Sequence, residues 1–385
     1  MKKITAYILC LLLLFSACIT PAAAADYTDA DRAVLAPDCI SAILIEAETG
    51  RVLFEQNADQ PLPPASVTKI MTLLLVMEAI DAGAVKLDDT VTASAKAASM
   101  GGSQIFLKEG EQMSLEDMLK SVIIASANDC AVALAEHVAG SEEVFVARMN
   151  ERAKELGMKN TNFENTNGLD DTANNHVTSA RDIALMSRAL IKYDKVLEYS
   201  SKWMDTVRDG AFGLTNTNRL VRFYSGITGL KTGSTAKAGF CISATAERNG
   251  LSLIAVVMGA PSRDQRNATA KAMLDWGFAN YAFYSDKPEI APCVRLLGGK
   301  LDSVKTSVDS FSAVLEKGTE NKVEKKTELP EMLTAPVKCG DKIGCVKYYV
   351  GNKMIGEVDI LAAETVEKIE FGDVFVRILG ILFMR

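Results

Sequence analysis

Ile70–Met77 reads Ile-Met-Thr-Leu-Leu-Leu-Val-Met, a run that is apolar nearly all round a helix rather than along one stripe. A helix with a single apolar stripe can lie on a surface, whereas one that is apolar all round must be enclosed. The chain therefore has to build structure on every side of the helix that the spacing predicts over about Ser66–Asp81. Pro61–Pro64 breaks the pattern before it, and Gly83 ends it. With 385 residues, 48% of them hydrophobic, there is material for one large domain and a smaller one.

The enclosing layers are legible on both flanks. Cys39–Ala47 and Val52–Gln56 are strand-like, with a turn at Glu48–Arg51. Far along the chain, Phe240–Arg248 and Leu251–Met258 flank Asn249-Gly250, a strong hairpin signal. Between the flanks, Leu115–Ile191 reads as mainly helical, and Ser114-Leu115-Glu116-Asp117 resembles a helix start. Strands at both ends with helices between them predict an α/β (α+β) fold, one sheet built from the two ends with helices on both faces. After Tyr284 the composition shifts to short strand-like runs separated by Gly, Lys and Glu, read as a small all-β sandwich over 286–360. Glu316–Glu328 is so charged that a solvated loop is expected there.

Residues 1–25 read as an export signal: Lys2 and Lys3, the apolar run Ile8–Phe15, then Pro21 and Ala22–Ala25. A lipoprotein signal ending at Cys18 fits less well, because Phe15 stands three residues before it. Net charge is −7 before that lysine-bearing segment is set aside, and no cationic block stands out, so nucleic acid is not expected as a partner. Six cysteines remain after residue 25: Cys39, Cys130, Cys241, Cys293, Cys339 and Cys345. A chain this long needs no disulfide framework, so most are expected as small buried apolar residues. Cys339 and Cys345 could still pair across a short hairpin.

Three short patterns carry chemistry. Ser66-Val67-Thr68-Lys69 places a hydroxyl and an amine three residues apart, on one helical face. Ser66 would sit where free N–H groups and the helix dipole favour negative charge, which suits an oxyanion. The same field disfavours a protonated Lys69, pushing it toward the neutral form that a base needs. Ser126-Ala127-Asn128 is on its own an ordinary cap or turn. Lys231-Thr232-Gly233, followed by Ser234, is expected to open a strand along which an extended peptide could pair, with Gly233 permitting close approach of a ligand. Alone, an S-x-x-K pattern arises by chance about once in a chain of this size. The order S-x-x-K, S-x-N, K-T-G is informative because it is close to the signature of penicillin-binding proteins and class A β-lactamases.

On these motifs the sequence resembles the low-molecular-weight D-Ala-D-Ala carboxypeptidases, peptidase family S11, and more narrowly the sporulation-associated type. The resemblance extends through Pro64–Thr72, Gly101–Gln104, Asn165–Leu169, Thr178–Asp182, Gly229–Thr235, Val257–Ala260 and Trp276–Phe278. It implies a penicillin-binding/β-lactamase-like sheet and a serine enzyme that trims peptidoglycan pentapeptides ending in D-Ala-D-Ala. It implies acylation by β-lactam antibiotics, and no cofactor or metal. By the same resemblance Ser66 is the nucleophile, Lys69 the base, and Ser126, between Lys69 and Lys231, the proton relay. Asn128 is implied to hold the substrate's peptide carbonyl. Thr232, Ser234 and Arg266 would bind the terminal carboxylate, with Arg263 the competitor for the arginine role. The N–H groups of Ser66 and Ser234 would form the oxyanion hole. The sequence departs from the pattern at Ala127, where the signature has Asp, and at Ser234, where some members have His.

Two rival readings are a serine β-lactamase and a catalytically silent β-lactam- or wall-binding module. Glu164-Asn165-Thr166-Asn167-Gly168 does not match the E-x-x-L-N of class A β-lactamases, and the intact Ser66, Lys69, Ser126 and Lys231 disfavour a silent module. His137 and His176, the two histidines of the chain, are read as structural. The organisation expected is signal 1–25, catalytic domain 26–285, β domain 286–360 and an amphipathic membrane anchor 361–385. That anchor would hold the enzyme on the outer face of the cytoplasmic membrane.

Overall fold

The computed structural model describes residues 34–36, 38–170, 173–287 and 292–383. The expected export signal lies outside them. The central sheet has five antiparallel strands in the order Val52–Gln56, Ser41–Glu46, Leu251–Ala260, Gly239–Arg248, Ile227–Thr235. It is assembled from the two ends of the catalytic region, as the strand pattern predicted. Asn249 and Gly250 both have positive φ, 52° and 78°, which gives the two-residue hairpin the twist that its strands need.

Alternation along the central strands feeds two cores. Ile43, Ile45, Ile254 and Val256 face one side, with the helices Lys69–Asp81, Asn128–Ala139 and Ala180–Leu190. Ala42, Leu44, Leu253 and Ala255 face the other, covered by Ala270, Met273 and Leu274 of the helix Arg263–Asn280. The all-round apolar segment is enclosed as required: Ile70–Leu74, Val76 and Met77 are buried. It is preceded by a 3₁₀ turn, Ala65–Thr68, that carries Ser66, so the α-helix proper begins at Lys69.

Three local expectations need correction. Lys231 lies in the middle of its strand rather than at the start, because pairing with Gly239–Arg248 extends back to Ile227. The charged stretch Glu316–Glu328 is not all loop. Val323–Glu328 is a strand on the edge of a four-stranded sheet, where lysines and glutamates can point to water while the backbone pairs with Lys342–Val350. The cysteines divide: Cys130, Cys241 and Cys345 are buried, Cys293 and Cys339 are exposed, and all six are free thiols.

Beyond the helix Arg263–Asn280, the strand Tyr281–Asp286 pairs with Phe311–Glu316. A three-stranded and a four-stranded sheet follow, each with a small core of its own. In one of those cores the rings of Phe311 and Tyr348 stack at 4.0 Å. Arg51 donates to the Val314 carbonyl at 2.6 Å, and Ser312 donates to Glu48 at 2.7 Å, which docks this region on the first hairpin turn.

The C-terminal segment is shorter than expected as a surface helix. Val366 is buried and exchanges backbone hydrogen bonds with Val337 at 2.8 and 3.0 Å, so residues 364–369 belong to the β layer. The helix itself is Phe371–Phe383. Among the described residues, no helix is long and apolar enough to cross a membrane.

Candidate active site

The three motifs converge although 165 positions separate Ser66 from Lys231 in the sequence. Proximity starts with a glycine. A Cβ on Gly233 would lie 2.8 Å from the Ser66 nitrogen and 2.9 Å from the Pro64 oxygen. The residue expected to admit a ligand thus admits the serine turn itself, which packs beside the edge strand of the sheet. Ala65, just before the serine, has a φ of 50°, a left-handed conformation that costs an alanine about 1–2 kcal/mol. Thr68 holds this turn by donating to the Ala65 carbonyl at 2.9 Å.

Lys69 Nζ lies 2.9 Å from Ser66 Oγ and donates to the Asn167 carbonyl at 2.7 Å. The amine is fully buried. Burial first, and then the nearby Lys231 charge, hold it well below the usual lysine range, with Asp129 opposing. A neutral amine here can donate to Asn167 and keep its lone pair for the Ser66 proton.

Ser126 is presented by a break in the helical run. The helix Leu115–Lys120, capped by Ser114 at 3.1 Å, passes into a π-turn, Ser121–Ala125, and Ser126 follows with a φ of 64°. Lys231 Nζ donates to Ser126 Oγ at 2.8 Å and to the Thr232 carbonyl at 3.0 Å. Burial, and then the Arg266 charge, lower Lys231 to about 7. Asn128 begins the next helix. Its Nδ2 donates one hydrogen to Gly101 at 2.7 Å and retains a second, while its buried Oδ1 has no partner. The side chain is therefore matched to a whole peptide group, N–H as well as carbonyl.

These groups border an open cleft of about 560 Å³, lined in part by Ser66, Ser126, Thr232, Gly233, Ser234 and Arg266. Arg266 is only 3% exposed. Its guanidinium meets the Asn267 side chain at 2.9–3.0 Å and, among the described residues, no carboxylate. Burial and the Arg263 charge lower it to about 10. Arg263 also lines the cleft, but it is exposed. Thr232 Oγ1 donates to Thr217 Oγ1 at 2.8 Å.

The histidines stand apart from the reacting groups. His137 Nε2 is 3.8 Å from Asp89. His176 is buried, with Nδ1 accepting from the Glu164 N–H at 3.0 Å and Nε2 2.7 Å from Thr68 Oγ1. Among the described residues, no group of three or more His, Cys, Asp or Glu could hold a metal. The motifs did not single out Thr217, Arg219, Arg222 or the Asn167 carbonyl. Asn167 lies in a stretch that carried the resemblance, but a backbone oxygen leaves no mark in residue identity, and Thr217 carries no sequence signal.

Residues 29–262 match the family described as D-alanyl-D-alanine carboxypeptidase, peptidase S11, and residues 283–368 match the C-terminal domain of penicillin-binding protein 5. The chain is 40% identical to the D-alanyl-D-alanine carboxypeptidase DacF of Bacillus subtilis, over 99% of this chain and 98% of that one. Penicillin-binding protein 5 from Haemophilus influenzae superposes with a TM-score of 0.76 at 32% identity, covering 86% of this chain and 98% of that one. Penicillin-binding protein D2 from Listeria monocytogenes in its ampicillin-bound form gives a TM-score of 0.58 at 34% identity, over 62% and 97% of the two chains.

Proposed function

The chain belongs to the D-alanyl-D-alanine carboxypeptidase family, peptidase S11, and from that premise we propose which of its residues carry the reaction and where it works. Ser66 Oγ attacks the carbonyl between the two D-alanines. Lys69 takes its proton, and the observation that carries this reading is the buried, charge-disfavoured amine 2.9 Å from the hydroxyl. The N–H groups of Ser66 and Ser234 hold the oxyanion, a contribution worth roughly 10²–10³ in rate when one such donor is lost.

The C–N bond then breaks. The proton passes from Lys69 through Ser126, which Lys231 orients, to the leaving amine of D-alanine. Asn128 holds the substrate's peptide group, using both ends of its amide. Thr232, Ser234 and Arg266 bind the terminal carboxylate; the burial of its guanidinium favours Arg266 over the exposed Arg263. Water then attacks the acyl-enzyme and releases the shortened peptide. A β-lactam presents a strained amide and a carboxylate to the same groups, and acylates Ser66.

We further infer export through residues 1–25 and attachment to the outer face of the cytoplasmic membrane by the helix Phe371–Phe383. Phe371, Phe375, Val376 and Ile378 are exposed there, a row of apolar side chains suited to an interface.

Incubation with penicillin, followed by intact-mass analysis and peptide mapping, is expected to place a single adduct on Ser66. A diacyl-D-Ala-D-Ala peptide should lose one D-alanine. An adduct on another residue, or none, rejects the assignment.

A further inference from the structure

The cleft holds more positive charge than the substrate's terminal carboxylate can answer. Arg219, Arg222, Arg263 and Arg266 all line it, and among the described residues no Asp or Glu does. Among the described residues, Arg219, Arg222 and Arg263 make no ion pair, in a chain whose net charge is −7. After burial, the charges of Arg263 and Arg219 are both felt at Arg266, with Asp264 opposing them more weakly. Guanidinium groups gathered in this way repel one another, and a bound anion relieves that repulsion.

The cluster is also held in place. Asn216 donates to the Ser200 and Lys202 carbonyls at 3.0 and 2.8 Å, and Asn218 donates to Gly229 at 2.9 Å, which fixes the segment leading to Arg219. Arg222 lies over the rings of Trp203 and Phe223, at 5.7 and 5.4 Å. A guanidinium supported on two rings loses less freedom when it binds.

We propose that Arg219, Arg222 and Arg263 form a second anion subsite, beyond the terminal-carboxylate pocket, that favours a leaving residue bearing a further acid group, such as D-glutamate in place of D-alanine. The subsite lies on the leaving side because Arg263 and Arg219 line the same cleft as Arg266 and their charges act on it, and the proposal rests on the assignment of Arg266 and Thr232 to the terminal carboxylate. The reaction is unchanged: the amide C–N bond breaks, the amine leaves with the relayed proton, and water hydrolyses the ester on Ser66.

Three diacyl peptides test it, ending in D-Ala-D-Ala, D-Ala-D-Gln and D-Ala-D-Glu. A fourth carries its extra acid on the acyl side of the scissile bond. The full chain should cleave the D-Glu peptide about five-fold better in kcat/KM than the isosteric D-Gln peptide, the scale of one or two partly exposed ion pairs. The ratio should fall toward one at high salt. It should fall likewise in R219Q and R222Q, whose folding is reported by penicillin acylation of Ser66. Should those variants fold poorly, the wild-type ratio and its salt dependence decide alone. Normal turnover of D-Ala-D-Ala with a D-Glu to D-Gln ratio of one overturns the subsite and leaves the catalytic assignment standing. A gain confined to the acyl-side acid also overturns it. Failure to hydrolyse any of the peptides overturns both.

Discussion

Lys69 is the residue at which function and stability conflict most directly. Its ammonium is held well below the ordinary value of 10.5 because the folded protein buries it beside Lys231. The folded state thus binds that proton less readily than the unfolded chain. The resulting cost to stability is fully present below the folded value, shrinks as pH rises above it, and is gone once pH passes 10.5. Lys69→Met keeps the volume and removes the charge. It should abolish penicillin acylation while raising Tm at neutral pH by about 2–4 °C, the shift for roughly 1 kcal/mol in a domain of this size. The gain over wild type should fade toward pH 10.5. Thermal scans across pH, with acylation followed by mass, check both halves. A destabilised variant would mean that the bond to Asn167 outweighs the burial of the charge. In the wild type, acylation should decline as pH falls through the folded Lys69 value, because only the neutral amine accepts the serine proton.

The decisive element is the loop through residues 164–169. It supplies the Asn167 carbonyl to Lys69, accepts from Thr72 at Thr166 O at 2.6 Å, and is held by Glu142, which accepts from the Thr166 N–H and hydroxyl at 3.0 and 2.7 Å. Gly168 allows this docking. Its φ is +84°, and a Cβ there would overlap the Ala65 carbonyl, next to the nucleophile. Gly168→Ala is therefore expected to push the loop off the serine turn, at a cost of about 2–3 kcal/mol in stability. A loss of at least about 100-fold in acylation rate should accompany it, as expected when a reacting group is misplaced by about 1 Å. Denaturant melts and stopped-flow acylation report the two separately. A variant of near-normal rate would show that the contact is not needed to hold Lys69. The resemblance pointed to this stretch by its residues, but its task, a backbone oxygen aimed at an amine, became visible only once the loop was folded against the turn.

At the scale of the whole molecule, the β layer docks on the first hairpin turn through Arg51 and Ser312, and the C-terminal helix follows it in the chain. The helix has 13 residues, about 20 Å long at 1.5 Å per residue, against a hydrocarbon core of roughly 30 Å. Truncation after Glu370 should leave a folded enzyme with unchanged hydrolysis that no longer sediments with anionic phospholipid vesicles. Truncation before Glu364 should lower the melting temperature as well, because it removes buried Val366 from a β core. Continued sedimentation of the shorter cut would place the membrane contact elsewhere.

Sequence by itself determined what must be enclosed and what chemistry was on offer. An all-round apolar helix cannot face water, so burial of Ile70–Leu74, Val76 and Met77 followed from residue identity alone. Asn249-Gly250 dictated its hairpin through the positive φ that both residues tolerate. Ser66 and Lys69, three apart, were bound to meet on any helical backbone, and Ser126, Asn128 and Lys231 were readable as motifs. Tertiary structure decided everything that depends on residues distant in the chain. Sheet order put Lys231 in mid-strand on an edge, and Gly233 turned out to face the serine turn as well as the cleft. Pairing with Lys342–Val350 made a strand of Val323–Glu328, because backbone hydrogen bonds to a neighbour override the preference of charged side chains for a loop. Thr217, Arg219 and Arg222 joined the cleft with no motif to announce them, since a side chain's role there depends on the wall that its backbone happens to build. Local pattern fixes burial and spacing, whereas desolvation, charge crowding and close approach arise only when distant segments share one volume.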